Sequence, residues 1–524
     1  MRNRSLTALL FGAILTIQPL SAYAEDLVMA VKAGADTADP QYSSLSPTIS
    51  EMRNIYETLI AGDAKQNPTP ALAESWKAVN DTTWEFHLRH GVKWHNGQDF
   101  SAKDVKFSLD RVPQAAGPAS YLMYTRDIQK VEIVDDYTIR ITTPHPAANL
   151  PSSIGRIFIV NADVVGKLKG AELNDPAKAI GTGPYKFVSW TANDKMELTR
   201  FDDYWGGKAP WKNVTIREIP NDSARMSALL AGDVDFVNQV QPADVGMLEK
   251  RKGIKVFSGP SAFNFLLFTD MRKTSPKVTD KAGKPLDTNP FLKPEVRQAI
   301  SESIDRQLLV DRLMDGQGSV ATQAVPEGII GYNPSIPKPV YDPAHAKELL
   351  AKAGYPDGFG VELTCTSDRL PNDGRICEGL GQFLTRIGIA VKVNAIPRSV
   401  FFSKRAAGDF SLFMHGWGTV TGETSQVLEP LLHTNDRAAG AGSWNVYGYS
   451  NPKMDADVDG ANQQIDPAKR KAMLEDAMKL VVSDRAMIPL VNINTITAAR
   501  SDKISDFTPR LDEDTLPWFI KPAK

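Results

Sequence analysis

Residues 70–112 contain three blocks at close spacing: Pro70-Ala-Leu-Ala-Glu-Ser-Trp76, then Trp84-Glu-Phe-His-Leu-Arg89-His-Gly-Val-Lys-Trp94-His-Asn-Gly97, then Phe100-Ser-Ala-Lys-Asp104-Val-Lys-Phe-Ser-Leu-Asp-Arg111. Trp84, Phe86 and Leu88 alternate with Glu85, His87 and Arg89, the period of two that marks a half-buried strand. Asn96-Gly97 is a strong turn dipeptide. Ser101 stands three residues before Asp104, a variant of the capping box, and Val105, Leu109 and Val112 share one helical face. The stretch therefore predicts a strand, a tight turn and a capped helix.

The wording of this stretch resembles the signature of the family 5 extracytoplasmic solute-binding proteins, the peptide and nickel group that feeds ABC importers. Members read close to "LAESW … FHLRKGVKWHDG … AEDVVFSLDR" at the same spacings. Further blocks resemble the family elsewhere: Gly181-Thr-Gly-Pro-Tyr185 with Tyr204-Trp205, Asn289-Pro290 through Val296-Arg297-Gln-Ala to Asp305-Arg306, and Tyr341-Asp-Pro343 through Gly354-Tyr-Pro. The resemblance covers nearly the whole chain beyond its first residues. It implies an α/β, two-lobed periplasmic binding protein fold of class II, with an extra α+β subdomain in lobe one and a hinged cleft.

A chain of 524 residues exceeds one hydrophobic core, so two or three domains are expected. With 42% hydrophobic and 23% charged residues it has the composition of a globular protein, and a net charge of −2 without Lys/Arg runs argues against a nucleic-acid partner. Arg2 and Arg4, the apolar run Leu6 to Leu20 and Ala22-Tyr23-Ala24 read as a cleaved signal peptide over residues 1–24. Its removal takes away two positive charges, so −2 becomes −4. An uncleaved anchor is the competing reading, but the apolar run is short for a membrane span. The mature protein is expected in the periplasm. There Cys365 and Cys377, twelve residues apart, form either a disulfide or two buried thiols.

Outside the signature, periodicity predicts a strand from Asp26, a helix over 47–60 and a hairpin about Asp135-Asp136. Strands follow at 186–190, 195–201 and 214–219, then a helix over 223–232 stopped by Gly232. Beyond residue 355 strands alternate with helices (359–366, 373–387, 389–396, 398–407, 410–416), which predicts a largely parallel sheet. Asp342 is the expected cap, and Pro343 the first residue, of a helix ending at Gly354. The family's discontinuous first lobe implies lobe one at 25–271 plus 490–524, with subdomain 51–180, and lobe two at 272–489. Gly181-Thr-Gly lacks the Lys-Ser/Thr of a phosphate loop, and its glycines read as turn residues.

No catalytic motif stands out: there is no G-x-S-x-G, H-E-x-x-H or Walker A sequence. His87 and His90 would point to opposite strand faces and His95 lies beyond a glycine, which is poor geometry for a shared metal. Neither a metal nor a cofactor is expected. In the family the ligand lies between the lobes, and His415-Gly-Trp417-Gly418-Thr-Val420-Thr421-Gly-Glu423 follows a predicted strand end, where α/β sheets bind ligands. Trp417 matches the family's Trp. Peptide binders carry an acid three residues later, for the peptide's ammonium, and here that position is Val420.

Glu423 is the nearest substitute, and the Trp-x-x-x-Thr-Gly-Glu form resembles the glutathione-binding branch; its alternative role is to brace the loop. Arg369 stands where family dipeptide binders place an Arg for the ligand carboxylate, a task suited to a planar guanidinium. Arg375 and Arg398 compete with it, and a surface ion pair is the other reading. Asp39, Tyr42, Asn264 and Trp444 complete the candidate cleft residues. The resemblance implies a solute receptor, not an enzyme: a monomer that captures a small peptide-like or anionic solute and delivers it to ABC permease subunits. An exported hydrolase, or a chaperone or haem-type carrier on the same fold, is the alternative.

Overall fold

The structure is a computed structural model. It describes residues 26–115, 121–166, 168, 170–436 and 440–523. The expected signal peptide lies outside them.

One twelve-stranded sheet runs through the molecule. Its order is Val278–Thr279, Gly360–Thr366, Leu412–Gly418, Ile254–Thr269, Met487–Arg500, Phe236–Val237, Asp26–Val31, Asn213–Glu218, Lys195–Arg200 and Tyr185–Thr191. Ala390–Ile396 adds to Gly360–Thr366, and Gly318–Val320 to Met487–Arg500. The two long central strands pair antiparallel, Ile254 with Arg500 at one end and Phe268 with Met487 at the other. They are 16 and 14 residues long, because each continues from one half of the protein into the other.

The pairing breaks midway. Pro260 faces Asn494 and the next paired residue, Asn264, faces Asn492, so the first strand carries two extra residues there. Beyond the bulge, Phe265 and Leu267 pack with Leu363, Cys365 and Leu380, while Leu266 and Phe268 pack with Phe413, Leu431 and Met478. Alternate residues thus enter cores on opposite faces, as in a sheet covered on both sides. The strands 360–366, 390–396 and 412–418 run parallel, with helices between them, as the βα alternation predicts.

The signature stretch folds separately. Ala73–Asn80 and Thr83–Leu88 join Thr138–Thr142 and Lys130–Asp135 in a four-stranded antiparallel sheet. Phe86 and Trp94 are fully buried. Gly97 turns at φ +86°, and the helix Ala102–Arg111 starts where Asp104 accepts the Ser101 N–H at 3.1 Å. The same carboxylate accepts the Trp94 indole and the Ala162 N–H, so the capping residue also ties the helix to its neighbours.

The helix expected over 47–60 ends at Met52. Ile55, Tyr56 and Leu59 are buried all the same, but the backbone carbonyls of Asn54 and Ile55 are taken by Tyr185 and Gly183 N–H groups. That exchange explains Gly181 and Gly183. A Cβ on Gly181 would stand 1.7 Å from the Ile55 carbonyl oxygen, and neither glycine has positive φ, so they serve close backbone approach, not a turn. Helices Pro242–Glu249, Ser425–Leu432 and Pro452–Gln463 are additional to those expected.

Candidate functional site

Between the two halves lies a cavity of about 610 Å³. Residues 367–375 form the wall on one side, Lys32, residues 238–241, Glu513 and Thr515 the other, and Ile493–Ile496 of the crossover strand lies between.

The 367–372 loop joins the strand Gly360–Thr366 to the helix Asp373–Arg386 and is held at several points. Cys365 and Cys377 form a disulfide across its ends, with Cα atoms 6.2 Å apart. The Asp373 carboxylate accepts the backbone N–H groups of Arg369 at 3.1 Å and Leu370 at 3.3 Å. Asn372 sits in the left-handed region at φ +58° and donates to the Leu313 carbonyl at 2.9 Å. Arg369 lines the cavity from this stiff loop. Its guanidinium lies 5.0 Å from the Phe402 ring centre, and its buried Nη1 has no hydrogen-bond partner. Burial, reinforced by the Arg398 charge, lowers its pKa to about 10, so it stays cationic at neutral pH. A half-buried cation that has a buried, unpartnered N–H group and no ion pair among the described residues, with only the Asp373 charge acting on it from a distance, favours binding of an anion.

Behind Arg369 stands a wall of rings. Arg405 lies 3.7 Å over the Trp444 ring, donates to the Trp444 carbonyl at 2.9 Å, and keeps a buried Nε without a partner. Burial, with Arg369 adding, brings its pKa down to about 10. Trp417 meets Trp444 edge-on at 4.9 Å. His415 is buried and stacks on Phe268 at 5.0 Å; burial, then the charges of Arg369 and Arg405, depresses its pKa to about 3. It is therefore neutral.

The loop after Trp417 is organised by Gln426, whose side-chain oxygen accepts the Val420 and Thr421 N–H groups, each at 3.1 Å. Gln66 and Arg156, from the other half, donate to the Thr419 and Val420 carbonyls at 3.2 and 3.3 Å. Gly422, at φ +75°, allows the approach, since a Cβ there would meet the Gln66 carbonyl at 2.6 Å. Gly418 likewise leaves room for the Phe263 ring.

The other candidates have different surroundings. Glu423 is buried and its carboxylate is occupied by Arg470 and Ser425, so it braces the loop and is not free to receive a ligand. Burial outweighs Arg470 and raises its pKa. Asp39 is bound at both oxygens by Arg111, the last residue of the signature, and accepts the Gln41 N–H. Asn264 is buried within the sheet, opposite Trp417, and Tyr42 is 41% exposed. Arg375 is exposed and faces Asp315 at 3.8 Å. The three signature histidines go to separate partners: His87 to Glu85, His90 to the Tyr137 ring, and His95 to the Gly181 N–H and Gly183 carbonyl. Among the described residues no group of three or more His, Cys, Asp or Glu side chains could hold a metal.

The 510–515 segment was not among the candidates. Arg510 bonds Asp512 at 2.9 Å, and Arg53 bonds both Asp512 and Asp514. Between them Glu513 takes φ +64° and lines the cavity.

The model of bacterial extracellular solute-binding proteins, family 5 Middle, matches residues 67–439. The chain belongs to this family. It is 29% identical over 504 residues to the glutathione-binding protein GsiB of Salmonella paratyphi A (strain ATCC 9150 / SARB42), covering 92% of each chain. Among solved structures it resembles DppA, an ABC transporter-associated periplasmic binding protein from Helicobacter pylori in complex with the peptide STSA. That match has 27% identity, a TM-score of 0.74, and coverage of 95% and 98% of the two chains. HbpA2 from Haemophilus parasuis shares the fold at 23% identity and a TM-score of 0.79, over 95% of this chain and all of that one (100%). These relatives are two-lobed binding proteins with mixed α/β content, and the two halves described above are the two lobes.

Gln66, Arg156, Arg405, Gln426 and Glu513 escaped sequence reasoning. Gln426 holds the backbone of its own loop five and six residues back, while the partners of Gln66 and Arg156 lie hundreds of positions away and that of Arg405 lies 39 positions on. The run Asp512-Glu-Asp514 was the one visible signal.

Proposed function

We propose that this member of family 5 is the periplasmic solute-capturing component of an ABC importer and takes a small, peptide-like solute with an anionic group. It works as a monomer that hands the solute to membrane permease subunits. The observation that carries this reading is Arg369, a half-buried cation whose buried Nη1 is unpartnered, on the wall of the interlobe cavity. The likeness to a glutathione-binding protein supports a modified peptide as the ligand class. Trp417 and Trp444 are outside the lining of the cavity, and Arg405 already covers the Trp444 ring, so their part is to back the Arg369 wall.

In this reading the lobes divide at the bulge, near 260 on one crossover strand and 494 on the other, short of 271 and beyond 490. A pairing interrupted at one level of the two crossover strands permits a hinge. Asp39, Asn264 and Tyr42 then serve the scaffold or its surface.

Titration calorimetry with glutathione, di- and tripeptides and sugar phosphates tests the proposal. Binding of a peptide-like anionic member is expected, and Arg369→Ala should weaken it by about tenfold or more through loss of a charge-assisted pair. Unchanged affinity in the variant moves the anchor elsewhere, and turnover of the bound compound rejects a binding-only role.

A further inference from the structure

We propose that Glu513 receives the ammonium group of the ligand, so that the cleft holds a zwitterion with its negative end on Arg369 and its positive end on Glu513. This rests on the reading above that Arg369 anchors the anionic group.

The charges lining the cavity carry the argument. Lys32 faces Asp222 at 3.5 Å, and Asp222 also holds Arg225 at 2.7 Å. Asp368 accepts the Arg398 N–H at 2.7 Å. Asp373 is spent on the N–H groups of Arg369, Leu370 and Gly374. Arg375 faces Asp315. Asp368 and Asp373, held by backbone N–H groups, stand on the same loop as Arg369 and its orphan Nη1. Across the cavity, Asp222 is matched by Lys32 and Arg225, and Glu513, beside the Ser261 hydroxyl, is the acid of that wall with no cation among the described residues. Of Arg369 and Glu513 one belongs to each lobe, and both line the same cavity.

Glu513 is also held out of the ion-pair network that surrounds it. Arg53 and Arg510 satisfy Asp512 and Asp514 on either side, while Glu513, in the left-handed region, forms no ion pair with either arginine. That conformation is unfavourable for a residue with a Cβ and persists only where the surroundings enforce it. Burial and the two neighbouring aspartates raise the Glu513 pKa to about 7, a site short of positive charge. An ammonium would supply it. The acid that Val420 lacks on lobe two is thereby provided from lobe one, beside Ser261 in the bulge of the crossover strand. Engaging both charges at once would then draw the lobes together.

The test compares wild type, Glu513→Gln and Arg369→Ala by calorimetry at pH 7.5. The probes are glutathione and di- and tripeptides, each with a free and an N-acetylated amino group. Wild type should prefer the free-amino form by about tenfold or more, as for a close charge pair. Glu513→Gln should abolish most of that preference while binding the acetylated form within about threefold of wild type, which also shows that the variant folds. Retention of the preference by Glu513→Gln, with Arg369→Ala still weakening binding, overturns the role of Glu513 alone. Failure of every probe to bind wild type overturns this inference together with the reading on which it rests.

Discussion

The signature region and the cleft treat charge in opposite ways. Around residues 39–111 the groups that frame the signature have protein partners: Asp39 with Arg111, Asp104 with a cap, an indole and a neighbouring N–H, His95 with Gly181 and Gly183, although among the described residues Ser43, Asn54, Tyr56 and Gln66 each keep a buried atom without one and Glu51 is buried without a cation. In the cleft, Arg369 and Glu513 line a shared cavity without an ion pair among the described residues, Arg369 feeling only the Asp373 charge, and Arg405, outside the cavity lining, retains an orphan Nε. Matched groups cannot gain from a ligand, because their partners are already in place. Unmatched groups lower the stability of the empty protein and recover that energy on binding. On the reading proposed above, the region that names the family is scaffold, and the solute is chosen by charged side chains of the cavity that lack an ion pair.

The sharpest way to break this contrast is to unpair the scaffold. Arg111→Ala leaves Asp39 buried without its cation, with the Gln41 N–H left on its carboxylate, and chemical denaturation should show a loss on the order of 3–5 kcal/mol. Affinity measured on the folded fraction should not change; a large affinity loss would place the pair in the binding machinery. Replacing both Cys365 and Cys377 by Ala should cost about 3 kcal/mol, the chain-entropy value for so short a loop, and loosen the Arg369 loop enough to weaken binding a few-fold. Full retention of stability in an oxidising buffer would show that the disulfide adds nothing to the fold.

His415 supplies the pH test. Its pKa is about 3 in the folded chain and near 6.5 when unfolded, so the unfolded chain takes up a proton that the folded chain refuses. Its contribution is complete above pH 6.5 and is lost as the pH falls toward the folded value. Wild type minus His415→Gln stability should decline by roughly 2–3 kcal/mol from pH 6.5 to 4.5. A flat difference would mean that His415 is solvated or charged. The smallest effect is expected from Val420→Asp. It should restore free-amino peptide binding to Glu513→Gln by only a few-fold, since the Val420 carbonyl and N–H are already engaged by Arg156 and Gln426.

Much of the architecture was readable from order along the chain. The capped helix at Ser101, the Asp342-Pro343 start, the hairpin at Asp135-Asp136 and the βα alternation after 355 all depend on neighbours within a few residues. Local order also misled. Helix periodicity continues past Met52, yet the chain unwinds there because Asn54 and Ile55 are needed by a strand more than a hundred residues on.

The family, the two-lobed fold and the candidacy of Arg369 thus reside in short-range pattern, since turns, caps and hydrophobic periods act between near neighbours. Tertiary structure alone decided which charges are satisfied. Glu423 and Glu513 are the same residue type in acid-containing loops, but Arg470 reaches one and only Ser261 the other. Pairing is a property of three-dimensional distance and burial, and these partners are separated by 47 positions in one case and about 250 in the other.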